Sequence, residues 1–97
     1  MSNLKHPQII KKLRAQIDKI DEKLLKILAE RFKITQKVGE YKKKYKLPVI
    51  DREREKEIFQ KRKLLAEKLG LDALMVKQIF HLIIKNVKKK HRQILKK

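Results

Sequence analysis

The fold of this chain is decided by residues 10–45, which read IKKLRAQIDKIDEKLLKILAERFKITQKVGEYKKKY. Apolar residues recur in this stretch at alternating steps of three and four, which predicts one long helix that packs along its length against other helices. The apolar positions are Ile10, Leu13, Ile17, Ile20, Leu24, Ile27, Ile34, Val38, Tyr41 and Tyr45. Arg31 interrupts the series between Ile27 and Ile34, at a position that should be apolar.

Arg31 has a permanent charge and five hydrogen-bond donors, so burying its side chain is costly unless an anion meets it. That anion is either a Glu or Asp of the protein or a bound ligand. The remaining polar residues bear on this choice.

Composition favours a single all-α domain. The chain has 97 residues and 41% hydrophobic content, enough for a core, but only two glycines and two prolines for the turns of a sheet. The absence of cysteine excludes disulfides, thiol catalysis and thiolate metal sites, and it fits a reducing compartment. No stretch has the apolar length of a signal peptide or a membrane span, so we expect a cytoplasmic protein that does not enter a membrane.

The net charge is strongly positive, with 29 Lys and Arg against 11 Asp and Glu, a formal +18. Such an excess suggests binding to the phosphates of nucleic acid. However, the cations are mostly lysines spread along the whole chain, with short runs at Lys42–Lys44 and Lys88–Lys90. The few aromatic residues form no platform on which bases could stack, so nucleic acid is not the favoured partner.

Breakers and capping residues predict three helices. The first ends before Pro48, because the residue that precedes a proline is pushed out of helical geometry. Asp51 is a good N-cap for the second helix, which stops at Gly70, and Asp72 caps the third. The predicted spans, within a single domain of residues 1–97, are about 5–46, 51–69 and 72–95, with Pro7 in the first turn and with Ile58, Leu65 and Leu69 facing inward on the second helix.

The lengths of these helices predict a dimer. A first helix of about 40 residues is about 60 Å long, whereas the second reaches only about 30 Å. The shorter helices cannot cover an apolar stripe that runs from Ile10 to Tyr45. We therefore expect an intertwined homodimeric helical bundle, in which residues from two chains meet at one site.

Several charged residues fall on the inward side of these helices. Lys42 lies about 20° around the helix from Arg31, and both side chains can reach the same gap. Arg14 lies about 100° off that face and can serve the gap from the partner chain. The other members of this set are Arg54, Glu55 and His91. An interior of this kind suits a small ligand with more than one negative charge.

The pattern LRxxIDxIDEKLLxxLAER, from Leu13 to Arg31, resembles the first helix of the all-α class of chorismate mutases. The resemblance continues through Val38-Gly39, Lys42, Pro48-Val49, Asp51-x-x-Arg54-Glu55, Gly70-Leu71-Asp72 and Phe80-x-x-Ile83-Ile84. It covers most of the chain without gaps. It implies an isomerase that converts chorismate to prephenate, in phenylalanine and tyrosine synthesis, without a metal or a cofactor.

The resemblance also implies roles for the matching cations. Arg31, together with Arg14 from the partner subunit, matches the arginines that clamp the two carboxylates of chorismate. Arg54 matches a supporting arginine near a substrate carboxylate. Lys42 matches the lysine that binds the ether oxygen and a carboxylate.

Glu55, with the backbone of Asp51, matches the group that holds the ring hydroxyl. The implied reaction is an intramolecular pericyclic rearrangement, so no proton need move in the bond-changing step. The protein then holds the reactive conformer and stabilises the negative charge that grows on the ether oxygen.

Two positions of the third helix depart from the family pattern. The family's second donor to the ether oxygen is usually a glutamine, eleven residues after the phenylalanine matched by Phe80, and that position is His91 here. A small polar residue one turn earlier is replaced by Val87, and Gln93 lies about 200° around the helix from the required face. Either the site is damaged, or the imidazole of His91 donates instead, and activity then rises as the pH falls from 8 to 5.

Two alternatives remain beside the mutase. An isochorismate pyruvate-lyase resembles the same fold and cationic site, although the Asp51-x-x-Arg54-Glu55 match favours the mutase. The second alternative is a basic helical dimer that binds nucleic acid.

Overall fold

The computed structural model describes residues 2–48 and 50–96, with side chains from His6 onward. Within these residues the chain forms three α-helices and no strand, which confirms the predicted all-α fold. The helices are α1 (Ser2–Lys44), α2 (Arg52–Lys68) and α3 (Ala73–Lys96). Met1, Lys97 and Val49, the last of which belongs to the Pro48-Val49 pair noted in the sequence, lie outside the described residues. None of the described helices is long and apolar enough to cross a membrane.

Residues 1–34 form one of two compact units, and the N-terminal part of α1 makes up this unit. Helix α1 begins at Ser2, so Pro7 lies inside it rather than in the first turn. Proline has no backbone N–H, and α1 therefore lacks one helical hydrogen bond at that point. The apolar series of this unit is largely exposed, with between 47% and 63% of each residue accessible in Ile10, Leu13, Ile17, Ile20, Leu24 and Ile27.

Residues 35–97 form the second unit, in which α2 packs against α3. Cations stacked on aromatic rings contribute to this packing. The guanidinium carbon of Arg62 lies 3.9 Å from the centre of the Phe80 ring, and Nζ of Lys77 lies 5.3 Å from the centre of the Phe59 ring. Each such contact stabilises by roughly 0.5–1 kcal/mol at exposed sites.

The inward face of α2 differs from the sequence expectation. Ile58 is half-buried as expected, but Leu65 and Leu69 are 54% and 64% exposed. The buried residue of this helix is Ala66. Because Arg62 stacks on α3 and the small Ala66 permits close approach, the inward face follows steps of four from Ile58 rather than the leucine positions.

The predicted caps of α2 and α3 are confirmed. Asp51 is the N-cap of α2, and its Oδ1 accepts a hydrogen bond from the Arg54 backbone N–H at 3.0 Å. Oδ1 of Asp72 accepts from the Leu74 backbone N–H at 3.1 Å. Such caps satisfy backbone donors that the first turn of a helix cannot satisfy itself.

The same backbone motif ends both α1 and α2. At the end of α2, Gly70 has a φ of +73°, its N–H donates to the Glu67 carbonyl at 3.1 Å, and the Leu71 N–H donates to the Ala66 carbonyl at 2.8 Å. This is the Schellman arrangement, in which a left-handed residue closes the helix.

Lys46 occupies the equivalent position at the end of α1, with a φ of +53°. Its N–H donates to the Lys43 carbonyl at 3.3 Å, and the Leu47 N–H donates to the Lys42 carbonyl at 2.8 Å. Helix α1 therefore ends at Lys44, two residues before the predicted end. The chain turns at this motif, before it reaches Pro48.

These two helix ends give a matched pair of predictions. Left-handed geometry is unfavourable for a residue with a Cβ, so Lys46→Gly is expected to raise the free energy of unfolding by about 0.5–1 kcal/mol. Gly70→Ala introduces the same strain and is expected to lower it by about 1 kcal/mol. Urea denaturation at one fixed protein concentration measures both changes. A Lys46→Gly variant less stable than the parent would contradict this account of the α1 end.

Candidate active site

The predicted site residues are divided between the two units. Arg14 is exposed and Arg31 is half-buried, and both belong to residues 1–34. The other predicted residues belong to residues 35–97 and are Lys42, Asp51, Arg54, Glu55, Val87 and His91.

Lys42 and Val87 are both half-buried. Lys42 lies in the last turn of α1, where Lys43 and Lys44 are also found, and a positive charge there interacts favourably with the negative end of the helix dipole. Lys42 is therefore the member of this lysine run that the fold partly withdraws from solvent, since Lys43 and Lys44 are exposed.

Asp51 and Arg54 lie at the exposed start of α2. The Asp51 carboxylate is used in the N-cap, and the Arg54 guanidinium lies 3.7 Å from Oε1 of Glu57, one turn further along. Nζ of Lys61 lies 3.0 Å from the same oxygen. The hydrogen bond from Lys61 and its positive charge lower the pKa of Glu57, with a smaller contribution from Arg54. The Arg54 guanidinium is thus paired with a solvent-exposed carboxylate.

Glu55 is paired across the α2–α3 interface. Its Oε1 forms an ion pair with Nζ of Lys88 on α3, and this oxygen is shielded from solvent. The Lys88 and Glu55 side chains are 27% and 37% exposed. The carboxylate that the family resemblance matches to the substrate hydroxyl therefore has a cationic neighbour on α3.

His91 is the most deeply placed of the predicted residues, with 5% of its surface exposed. Its Nε2 lies 2.7 Å from the Thr35 carbonyl oxygen of α1. Because a carbonyl oxygen only accepts, Nε2 carries a proton in this contact. In the neutral ring Nδ1 then has a lone pair, and only the charged imidazolium has a second N–H to donate.

Gly39 provides the space for this imidazole. A Cβ at residue 39 would lie 2.6 Å from Cδ2 and 3.1 Å from Nε2 of His91, and 3.1 Å from Cδ1 of Ile94. Gly39 is buried, and it lies one helical turn after Thr35, whose carbonyl accepts from the same ring. The missing side chain lets the ring rest directly on the backbone of α1.

Three residues of this arrangement were not predicted as site residues from the sequence, namely Thr35, Gly39 and Lys88. Gly39 was noted only as part of a matching motif, and Lys88 only as part of a lysine run. Lys88 falls one residue after Val87 and three before His91 on α3, and that position on the inward series was the available signal for it.

A groove of about 460 Å³ runs between α2 and α3. Phe59, Phe80 and Ile84 contribute apolar walls, and Glu55 and Lys88 also line it. Lys42 and His91 are not among its lining residues, so this groove coincides only in part with the predicted site. Within the described residues, no three His, Cys, Asp or Glu side chains are grouped so that they could hold a metal ion.

Comparison with known proteins places this chain in a family. A family model described as chorismate mutase type II matches residues 13–92. A chorismate mutase of Methanocaldococcus jannaschii is 35% identical over 83 residues, which cover 86% of this chain and 84% of that protein. The chain therefore belongs to the chorismate mutase type II family.

Other relatives are much longer than this chain. A bifunctional chorismate mutase/prephenate dehydratase of Aquifex aeolicus is 50% identical over 52 residues, or 54% of this chain and 14% of that protein. A T-protein of Haemophilus influenzae is 35% identical over 72 residues, or 74% of this chain and 19% of that protein. The matched region thus spans less than a quarter of these two relatives.

The contact between His91 and Gly39 predicts the stability of a Gly39→Ala variant. Alanine improves helix propensity by about 1 kcal/mol, but overpacking a filled site costs about 1–3 kcal/mol. Because the added Cβ meets a buried ring and not a flexible chain end, we expect Gly39→Ala to lower the free energy of unfolding.

The matched control is the same substitution in a His91→Ala background. With the ring removed, the nearest atom is the flexible end of Ile94 at 3.1 Å, and Gly39→Ala is expected to stabilise by about 1 kcal/mol. Denaturant unfolding at a fixed protein concentration measures both backgrounds. If Gly39→Ala stabilises the chain with His91 present, the close approach is not a constraint.

Proposed function

We propose that this chain is a chorismate mutase that converts chorismate to prephenate for phenylalanine and tyrosine synthesis. Family membership over residues 13–92, with a single-function relative matched over most of its own length, carries this proposal. Arg31 and Lys42 support it, because both are half-buried at positions that match the family pattern and their side chains are of the types that bind carboxylates.

The proposed mechanism uses charge and shape only. Arg31, and Arg14 from a second chain, bind the two carboxylates and hold chorismate in its reactive conformer. Lys42 donates to the ether oxygen as negative charge develops there, and loss of such a donor typically costs roughly 10²–10³-fold in rate. Glu55 accepts from the ring hydroxyl.

We further propose that His91 supplies the second donor to the ether oxygen, in its charged form. The Thr35 carbonyl takes the Nε2 proton, so the neutral ring has no hydrogen left to give. An imidazolium has one on Nδ1, and it also brings a positive charge toward the developing anion. The family glutamine would be replaced by a donor that works only when protonated.

This proposal predicts a pH dependence that tests the function at the same time. Imidazole charges between pH 8 and pH 5, so chorismate loss, followed by absorbance with the product identified as prephenate, is expected to accelerate as the pH falls through that range. His91→Gln restores a neutral amide donor, and its profile is expected to be flat. His81→Gln, at an exposed position, is the control and keeps the profile of the parent.

Three results would count against the proposal. A flat parent profile between pH 5 and pH 8 removes His91 from the donor role, and so does a slope that persists in His91→Gln. An absence of chorismate turnover at every pH contradicts the mutase itself, and pyruvate released from isochorismate would then favour the lyase.

We propose that the active form is a homodimer with Arg14 contributed across subunits. The exposed apolar series of residues 10–27 supports a second copy as its cover, since contiguous apolar surface of this kind marks an interaction site. In such a dimer each site combines Lys42 of one chain with Arg14 of the other.

Mixing two inactive variants tests this sharing. Arg14→Ala and Lys42→Ala are each expected to be nearly inactive, but after subunit exchange half of the dimers contain one intact site, so about a quarter of parent activity returns. The control mixes Arg31→Ala with Lys42→Ala, which we assign to the same chain's site, and no activity should return. If the first mixture stays inactive although exchange is verified with a tagged subunit, Arg14 does not act across subunits.

A further inference from the structure

The ion pair between Lys88 and Glu55 differs from the surface pairs of this protein. It joins two helices, and its side chains are less exposed, at 27% for Lys88 and 37% for Glu55. Three pairs within single helices are instead more than half exposed, namely Lys26–Glu22, Arg54–Glu57 and Lys61–Glu57. Exposed pairs of that kind contribute little, whereas a covered pair fixes its members in one arrangement.

The pair orients the Glu55 carboxylate. Oε1 faces the Lys88 ammonium and is shielded from solvent, so the second oxygen, Oε2, is the one left for another donor. A substrate hydroxyl would then donate to Oε2, whose direction is already set by the pair.

Lys88 is separated by the fold from the lysines that follow it. It lies on the inward series of α3 and lines the groove with Glu55, whereas Lys89 is exposed. A long cationic side chain at a covered position is costly unless it is paired, and here its partner is a predicted site residue. Lys88 therefore belongs with the site rather than with the solvated surface.

We infer that Lys88 is a positioning residue for the reaction, acting through Glu55 on the substrate's ring hydroxyl. This inference rests on the proposed function. Lys88 holds Oε1, Glu55 presents Oε2 to the hydroxyl, and the ring of chorismate is thereby fixed relative to the cations. No bond is made or broken by Lys88 itself.

The first test compares substitutions of Lys88 in chorismate turnover. Lys88→Met is expected to lower kcat/KM by roughly tenfold, a size typical of coupled neighbours, while Lys88→Arg, which keeps the charge, retains most of it. Lys89→Met is the matched control and should equal the parent. Lys88→Gln, which keeps a donor beside Oε1, is the second variant in case Lys88→Met does not fold, and it should fall between the two.

A double-mutant cycle separates positioning from a general structural role. In a Glu55→Ala background, Lys88→Met should cause no further loss, because the acceptor that it acts through is already gone. A merely structural lysine would instead cost the same factor in both backgrounds, which would overturn the inference.

The remaining outcomes are also distinguishable. If the parent turns over chorismate and Lys88→Met matches Lys89→Met, the inference fails and the proposed function stands. If the folded parent shows no turnover, the proposed function fails, and the inference that depends on it fails too.

Discussion

The contact between the His91 imidazole and the backbone of α1 is the constraint on which the second unit depends. A ring with 5% exposure rests on Gly39 and donates to the Thr35 carbonyl, which is tolerable only because residue 39 lacks a side chain. This contact sets the distance between the end of α1 and the end of α3. In our proposal Nδ1 is then the nitrogen that donates to the substrate, so one interaction bears on both the packing of the helices and the proposed chemistry.

Charge, rather than a large apolar core, characterises the rest of that unit. Arg62 stacks on Phe80 and Lys88 pairs with Glu55, so cations fill positions that apolar residues would occupy in an ordinary helical hairpin. A small interior of this kind is poorly suited to stand alone. Together with the exposed apolar series of residues 10–27, it favours a chain that completes its core, and by our proposal its active site, with a second copy.

Local features of this fold could be predicted from the sequence, whereas the contacts between helices could not. The caps at Asp51 and Asp72 and the stop at Gly70 depend on neighbouring residues, and the structure bears them out. Lys46 adopts a left-handed geometry that its residue type does not signal. The contact of His91 with Thr35 joins residues 56 positions apart. Helical periodicity predicts which face of each helix is inward, but not which residues of two inward faces meet. For the same reason Lys88 was not predicted as a site residue, and the roles of Arg14 and Arg31 rest on the family resemblance.

By our proposal, this protein accelerates the rearrangement of chorismate by placing charge, without moving a proton in the bond-changing step. The most direct measurement is a single-turnover reaction in H₂O and in D₂O, with excess protein and at matched pH and pD. We expect prephenate to form at the same rate in both solvents, because in the proposed mechanism His91 and Lys42 donate hydrogen bonds and keep their protons. A clearly slower reaction in D₂O would mean that a proton is transferred in the rate-limiting step. No prephenate in either solvent would mean that the proposed mutase activity is wrong.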